Sequence, residues 1–172
     1  ADFSNLAEKK QTPQALYVTA KQAHKIKTDN PDSVYFVDVR TRAEVEFLGM
    51  PTVADSNIPY FLNDFSEWDE KKPRFKKVPN SNFSVVLSDY LDEAGMNKDS
   101  TILLMCRSGT RSAKAAALLH KLGYKNAYTV VDGFEGDKLK EGPHKGQRLK
   151  NGWKNANLPW SYKLNEDKMY FE

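Results

Sequence analysis

Two nearly continuous apolar runs dominate the hydrophobic pattern of this chain. Val34 to Val39 and Thr101 to Met105 consist almost entirely of apolar and β-branched residues, with no polar residue at every second position. A strand buried on one face alternates between apolar and polar residues, so an unbroken run is typical of a strand covered on both faces. We therefore predict two central strands, together with shorter strands over Leu16 to Val18 and Asn126 to Val131.

Helical patterns lie between these strands. Thr19 with Gln22, and Thr41 with Glu44, have the spacing of capping boxes, which satisfy the free amides at a helix start. The predicted helices cover Ala20 to Lys27, a short segment through Phe47, the amphipathic stretch Phe83 to Ala94, and the alanine-rich stretch Ala113 to Leu122. Strands that alternate with helices predict an α/β fold, with a central, mostly parallel sheet flanked by helices on both faces.

Three further segments surround this alternating pattern. We expect residues 1–15 to form a polar lead-in, residues 16–136 the α/β domain, and residues 137–172 a C-terminal extension packed on that domain. The extension carries Trp153, Trp160 and Tyr162, large aromatic side chains that we expect to leave water. Residues 60–79 mix aromatic residues with lysines and show no sustained period, so we predict an irregular insertion there.

Composition excludes several classes of protein. A chain of 172 residues with 40% hydrophobic residues is large enough for one packed domain. Its 26 basic and 23 acidic residues are interspersed and leave a charge of only +3, which argues against a nucleic-acid partner. No apolar run approaches the roughly 18 residues of a membrane span.

The start of the chain suggests its location. It begins Ala-Asp and continues with a polar segment, as a secreted chain does after signal peptidase has cleaved behind a small residue. We therefore expect export, to the periplasm in a bacterium, with a cytoplasmic location as the alternative.

The single cysteine lies in the segment that points to chemistry. Cys106 ends a predicted central strand, and Arg107, Ser108 and Gly109 lead at once into a helix. Backbone N–H groups in such a loop can point at one centre, and the helix N-terminus favours negative charge there. Cationic neighbours and this dipole should lower the pKa of the thiol and make it a nucleophile at neutral pH.

The rest of the loop completes an anion cradle. Arg107 and Arg111 supply positive charge, Ser108 lies between them and the glycine, and Gly109 permits a positive φ or a close approach of the backbone. Thr110 and Ser112 add hydroxyl donors. The non-functional alternative is a buried cysteine at a strand end with two solvated arginines. The combination of strand, loop, arginines and helix favours an active site instead.

The sequence lacks the residues that other kinds of active site would need near Cys106. His24, His120 and His144 fall in a helix, a helix and the tail, so no general base is expected beside Cys106. One cysteine and scattered histidines show no ligand spacing, so we expect neither a metal nor a cofactor.

The loop resembles a known family. Cys-Arg-Ser-Gly-Thr-Arg-Ser at 106–112 is similar to the active-site loop of single-domain rhodaneses. Asp38-Val39-Arg40, Asn57-Ile58-Pro59 and the segment 132–136 resemble further motifs of that family. The resemblance implies a rhodanese-like fold in which Cys106 takes a sulfane sulfur from a donor such as thiosulfate and passes it, as a persulfide, to cyanide or a thiol. A protein acceptor is a further expectation.

The resemblance also implies roles for individual residues. Arg107 and Arg111 would orient the anionic donor, whereas Asp38 and Arg40 would support the structure. Asp132 stands where the family usually has the first of two glycines, and we expect its carboxylate to lie near the loop and to select against doubly charged donors. The segment after Gly49 also departs from the family pattern and would alter one wall of the site.

Two alternative functions remain open. Phosphatases and arsenate reductases use the same fold and place five residues between cysteine and arginine, whereas this chain has four, from Arg107 to Thr110. A shorter loop suits a single sulfur atom better than a tetrahedral oxyanion. The other alternative is a persulfide-relay or partner-binding module that docks a protein through residues 60–79, where a lid or buried loop is the simpler interpretation.

Overall fold

A computed structural model describes all 172 residues. The strands are β1 Tyr17–Val18, β2 Val34–Asp38, β3 Met50–Pro51, β4 Ser56–Asn57, β5 Phe61–Asp69, β6 Arg74–Pro79, β7 Thr101–Met105, β8 Asn126–Val130 and β9 Trp160–Ser161. The helices are α1 Ala20–Asp29, α2 Arg42–Leu48, α3 Phe83–Glu93 and α4 Thr110–Lys121, with 3-10 turns at Glu8–Lys10 and Glu166–Lys168.

The main sheet has the predicted parallel architecture. Its five strands lie in the order β1-β8-β7-β2-β4, and every neighbouring pair is parallel. Helices α3 and α4 cover one face and α1 and α2 the other. None of the helices combines the length and the apolar composition needed to cross a membrane. The prediction of an α/β fold with helices on both faces is confirmed.

Strand β7 shows why the apolar runs are unbroken. Ile102 and Leu104 enter the core beneath α3 and α4, while Leu103 and Met105 enter the core on the opposite face. All four are fully buried. Because each face of the strand meets a helical layer, none of the positions from Ile102 to Met105 is available for a polar side chain.

Both predicted capping boxes are present. Thr19 accepts a hydrogen bond from the amide of Gln22, Thr41 accepts one from Glu44, and each partner side chain accepts one in return. Helix α4 differs from its prediction, because it begins at Thr110 rather than Ala113. The loop ends at once after Gly109, so the first turn of the helix consists of polar residues that the alanine-rich pattern did not include.

The prediction of an irregular insertion at residues 60–79 was wrong. Strands β5 and β6 form an antiparallel hairpin, with a register shift between Asp64 and Trp68. Phe65 and Trp68 each pack edge-on against Phe75, with ring centroids 5.4 and 5.6 Å apart, and all three remain substantially exposed. These aromatic side chains pack on one another rather than on the core, so the sequence lacks the alternation of a half-buried strand.

The C-terminal extension packs against the domain. Trp153 is fully buried beside Phe36, with ring centroids 5.5 Å apart, and β9 pairs with β3 in antiparallel fashion. Trp160 is half-buried, but Tyr162 is 62% exposed. The expectation that all three aromatic side chains leave water was therefore wrong for Tyr162, which rests edge-on against Trp160.

Candidate active site

The cysteine loop lies at the carboxyl edge of the central strand. Cys106 directly follows β7, which has two strands on either side of it in the sheet. Helix α4 begins four residues later, at Thr110. Ligands of open parallel sheets bind at this edge, because the loops that follow neighbouring strands meet there.

The thiol of Cys106 is held by hydrogen bonds within its own loop: it accepts one from the Gly109 amide and donates one to the Ser112 hydroxyl. Its Sγ lies 3.1 Å from the amide nitrogen of Gly109 and 3.4 Å from Ser112 Oγ. Ser112 Oγ in turn lies 2.8 Å from Thr129 Oγ1, on strand β8. Cys106 is 1% exposed, so these hydrogen bonds form in a region largely free of water.

The surroundings of Cys106 favour its thiolate. Burial raises the pKa of the thiol, but the charge of Arg111 and hydrogen bonds from Ser112 and the Ser108 amide lower it more, so the pKa lies below its ordinary value. The N-terminus of α4 acts in the same direction. A larger fraction of the residue is therefore a nucleophile at neutral pH.

Arg111 is paired with a carboxylate that the sequence did not assign to the site. Its guanidinium forms a two-pronged ion pair with Glu44, at 2.5 and 2.9 Å, and both side chains are nearly buried. Lys77 Nζ lies 3.9 Å from the same carboxylate. Burial and then the charge of Arg111 lower the pKa of Lys77 to about 8. Glu44 of helix α2 thus fixes the orientation of Arg111 beside the thiol, and Lys77 of the hairpin lies close to the same carboxylate.

Two glycines allow the loop to pack against the segment after β8. Gly109 has a φ of +104°, and a Cβ there would lie 2.5 Å from the carbonyl oxygen of Val131. Gly133 has a φ of +65°, and a Cβ there would overlap the carbonyl of Arg107. Any other residue at either position would displace the cradle.

Cys106 lines a pocket of about 710 Å³. Arg107, Ser108, Thr110 and Arg111 also line it. Gly109 and Ser112 lie behind this surface and contact the sulfur from within the protein. The structure therefore brings all seven predicted loop residues to one centre, with five facing the pocket and two supporting the thiol.

Asp38 and Arg40 lie in the core rather than in the pocket. Their side chains form a fully buried ion pair, with Arg40 Nη2 at 2.7 Å from Asp38 Oδ2. The same Nη2 donates to the carbonyl of Gly49, and the guanidinium lies 4.0 Å from the centre of the Phe134 ring. These contacts connect α2, β2 and the segment after β8 beneath the site.

The segment that contains Asp132 packs against the loop, as expected, but its carboxylate does not face the pocket, where it could act on a donor. Its Oδ1 accepts a hydrogen bond from the Ala20 amide at 2.8 Å, and its Oδ2 accepts one from the Gly152 amide at 3.1 Å. Asp132 does not line the pocket. The carboxylate instead joins the start of α1 to the C-terminal extension, because backbone donors there satisfy it.

Sequence reasoning missed the residues that form the walls of the pocket. The missed basic residues are Lys9, Lys10, Lys72, Arg74, Lys77, Lys114, Lys138, Lys140, Arg148 and Lys150, and the one acidic lining residue is Asp137. Lys10 Nζ donates to Asp137, 127 positions away, at 2.9 Å. Glu44 had a signal, its capping-box spacing, but that spacing indicated only its role in the helix.

The arrangement can hold a sulfur anion without acid–base assistance. None of the three histidines lines the pocket, and the groups that reach Cys106 are amides, hydroxyls and the cationic Arg111. Such a site suits a nucleophile attacking a centre whose leaving group departs as a stable anion, because no proton has to be delivered.

Comparisons with known proteins agree with this geometry. The family model of the rhodanese-like domain matches residues 19–140. An uncharacterized protein of Rickettsia rickettsii is 34% identical over 131 residues, which cover 76% of this chain and 85% of that protein. The crystal structure of Rv0390 from M. tuberculosis superposes with a TM-score of 0.63 and 29% identity, over 85% of this chain and 96% of that one.

A more distant structure shares the fold. The polysulfide-sulfur transferase homodimer of Wolinella succinogenes gives a TM-score of 0.51 at 18% identity, over 86% of this chain and 79% of that one. The matched residues contain Cys106, the whole loop and the strand that precedes it. The chain belongs to the rhodanese-like domain family.

Proposed function

We propose that this chain is a thiosulfate-type sulfurtransferase, which moves a sulfane sulfur to a nucleophilic acceptor through a persulfide on Cys106. The observation that supports this most is the environment of the thiol: it is buried and held by the Gly109 amide, and its pKa is lowered mainly by the neighbouring charge of Arg111. The family generally carries out sulfur transfer, which agrees with this chemistry.

In the first half-reaction the thiolate of Cys106 attacks the outer sulfur of thiosulfate. A bond forms between Sγ and that sulfur, the sulfur–sulfur bond of thiosulfate breaks, and sulfite leaves with the electron pair. Sulfite is a stable dianion, so the step needs no general acid. The absence of a histidine from the pocket lining fits this requirement.

The persulfide carries its negative charge on the outer sulfur, where the cradle can stabilise it. The Gly109 amide contacts Sγ at the N-terminus of α4, so both would also favour negative charge on an outer sulfur bound to Sγ without having to reorganise. In the second half-reaction cyanide or a thiolate attacks the outer sulfur, and the Cys106 thiolate is the leaving group. The enzyme then returns to its starting state.

The two loop arginines would have different roles in binding the donor. Arg111 is held by Glu44, so its position is fixed and part of its charge is balanced. Arg107 lines the pocket without an ion pair and can approach the sulfonate oxygens of thiosulfate. We assign Arg111 to orienting the thiolate and the donor, and Arg107 to balancing the donor's charge.

A persulfide relay to a protein acceptor is the second candidate. The observation that favours it is the exposed aromatic surface of the hairpin, where Phe65 is 63%, Trp68 47% and Phe75 48% exposed. Aromatic side chains are enriched at protein interfaces. A relay would keep its persulfide in the presence of small thiols, whereas a turnover enzyme would release it to them.

Mass spectrometry of the intact protein tests the proposal. After incubation with thiosulfate the protein should gain one sulfur atom, and cyanide should remove it as thiocyanate. The Cys106→Ser variant is the control and should gain nothing. A wild-type protein that gains no sulfur from thiosulfate, or a serine variant that gains as much, would overturn the mechanism.

A further inference from the structure

The pocket around Cys106 concentrates positive charge far beyond what the whole chain carries. Twelve of its 20 lining residues are lysine or arginine and one is acidic, whereas the net charge of the chain is only +3. The rest of the molecule is therefore net negative. Such a separation creates a strong local potential that attracts anions.

Segments outside the family-matched residues add to this charge. Residues 19–140 match the family, but Lys9 and Lys10 precede that range, and Arg148 and Lys150 follow it. The hairpin contributes Lys72, Arg74 and Lys77 from another side. The additions at both ends of this chain thus extend the walls of the cysteine pocket, and they extend them with cations.

Most of these cations have no carboxylate partner. Only Lys10, Arg74, Lys77 and Arg111 form ion pairs, and the other eight basic lining residues form none. Burial and then the charge of Arg107 lower the pKa of Arg148, as expected where like charges lie close together. An incoming polyanion would relieve this repulsion.

The size of the pocket also limits the kind of ligand that suits it. Its volume of about 710 Å³ lies in the range of sites that hold whole cofactors and nucleotides, and greatly exceeds the needs of thiosulfate. Only four lining residues are hydrophobic, so an apolar ligand would leave many charged groups unsolvated. The pocket suits a large ligand whose surface is mostly anionic.

We infer that the preferred sulfur donor is a thiol persulfide of nucleotide size, whose non-reacting part carries several negative charges of the phosphate type. Phosphate oxygens suit both the point charge of lysine and the fork of arginine. This inference rests on the proposed function, since it names the donor of the same Cys106 site.

The transfer step is balanced for such a donor. The thiolate of Cys106 attacks the outer sulfur of the persulfide, the new Sγ–sulfur bond forms, and the donor's sulfur–sulfur bond breaks. The proton stays on the transferred sulfur, and the donor leaves as a thiolate with the electron pair. No oxidant or reductant is required.

Two donors with the same reactive end and different charge test the inference. Coenzyme A persulfide carries phosphates, whereas pantetheine persulfide has the same thiol arm without them, and thiosulfate is the third donor. The reaction is quenched at set times, and intact-mass measurements give the fraction of Cys106 that carries the added sulfur. We expect kcat/KM for the phosphorylated persulfide to exceed that for pantetheine persulfide by at least about tenfold at low salt, and the ratio to shrink as salt screens the pocket.

Charge-reversal variants locate the effect. Lys140→Glu combined with Lys150→Glu changes two exposed residues of the pocket wall, and should reduce the preference for the phosphorylated donor by about tenfold. The matched control, Lys21→Glu combined with Lys163→Glu, alters the net charge equally at exposed positions away from the pocket, and should preserve the preference. Equal losses in the two variants would overturn the assignment to this pocket.

Failure of the inference and failure of the proposed function give different results. If all three donors load Cys106 with equal efficiency, the protein is a sulfurtransferase but the polyanionic donor is wrong. If none of them loads it, the proposed function itself is overturned.

Discussion

Replacing Glu44 with glutamine tests the buried ion pair that positions Arg111. The amide keeps the size of the side chain and one hydrogen-bond acceptor, but it removes the negative charge. Burial raises the pKa of Glu44, whereas the hydrogen bonds and charge of Arg111 lower it more, from 4.5 to about 2. A shift of this size corresponds to about 3 kcal/mol of interaction favouring the charged form in the folded protein.

The expected loss of stability follows from this value. The side chains of Arg111 and Glu44 are only 10% and 14% exposed, so solvent screens their interaction weakly. Removing one partner also leaves the guanidinium buried without its counter-charge, which typically costs about 3–5 kcal/mol. We expect the variant to lose about 3 kcal/mol of unfolding free energy at neutral pH, or about 6–12 °C in Tm.

Urea unfolding across a range of pH measures the effect. Because the pKa of Glu44 is lowered on folding, its contribution is complete above pH 4.5 and is lost as the pH falls toward about 2. The difference between wild type and variant should therefore narrow over that interval. Glu46→Gln, at an exposed position of the same helix, is the control and should show no such difference. A difference in unfolding free energy between wild type and Glu44→Gln that stays constant with pH would refute the reasoning. Equal unfolding free energies at neutral pH would refute it as well.

The same variant gives an independent reading at the active site. Without the carboxylate, the charge of Arg111 is no longer balanced, so the pKa of Cys106 should fall further below its ordinary value. The rate of thiol alkylation as a function of pH reports that pKa. An unchanged profile would mean that Glu44 does not influence the thiolate through Arg111.

Four further predictions follow from the loop. Cys106→Ser should abolish persulfide formation while leaving the circular dichroism spectrum unchanged; a persulfide in this variant would remove the proposed nucleophile. Arg111→Ala should slow loading from thiosulfate more than discharge of a preformed persulfide, and equal losses in single-turnover assays would count against its role with the donor. Inserting one residue between Cys106 and Arg111 should lower thiosulfate turnover at least about tenfold by widening the ring of donors; undiminished turnover would show that loop length is unimportant. Gly109→Ala should cost about 1–3 kcal/mol of unfolding free energy, because its φ is +104° and its Cβ would meet Val131, and full stability in urea unfolding would contradict this.

The sheet and the cysteine loop could be predicted because their signals are local. Strands β2 and β7 read as unbroken apolar runs, since helices cover both of their faces. The capping boxes at Thr19 and Thr41 marked two helix starts to the residue. Each of these features depends on neighbours within a few positions, which a single sequence displays.

The hairpin and the start of α4 could not be read in the same way. The aromatic residues of β5 and β6 form their own exposed cluster, so they impose no alternation on the sequence. Helix α4 begins with Thr110, Arg111 and Ser112, whose polar side chains serve the site and obscure the helical pattern. In both cases the side chains serve contacts other than packing in the apolar core, so the apolar pattern of the sequence does not show them.

The sequence did not reveal the positive charge of the pocket, because the residues that form the pocket are far apart along the chain. Arg111 and Glu44 are 67 positions apart, and Lys10 and Asp137 are 127 apart. The overall charge of +3 averages these clusters with acidic surface elsewhere. Only the folded chain shows that its two ends and its hairpin bring their lysines to one cysteine.

Three carboxylates around the site are engaged by donors within the protein. Glu44 is bound by Arg111, Asp137 by Lys10, and Asp132 by the amides of Ala20 and Gly152. Each of these three acidic groups is thus engaged in holding the structure together. A carboxylate at position 132 was expected to disfavour doubly charged donors, but in the folded chain the same residue anchors the extension that supplies Arg148 and Lys150. Its carboxylate therefore helps to hold in place the extension whose basic side chains line the pocket.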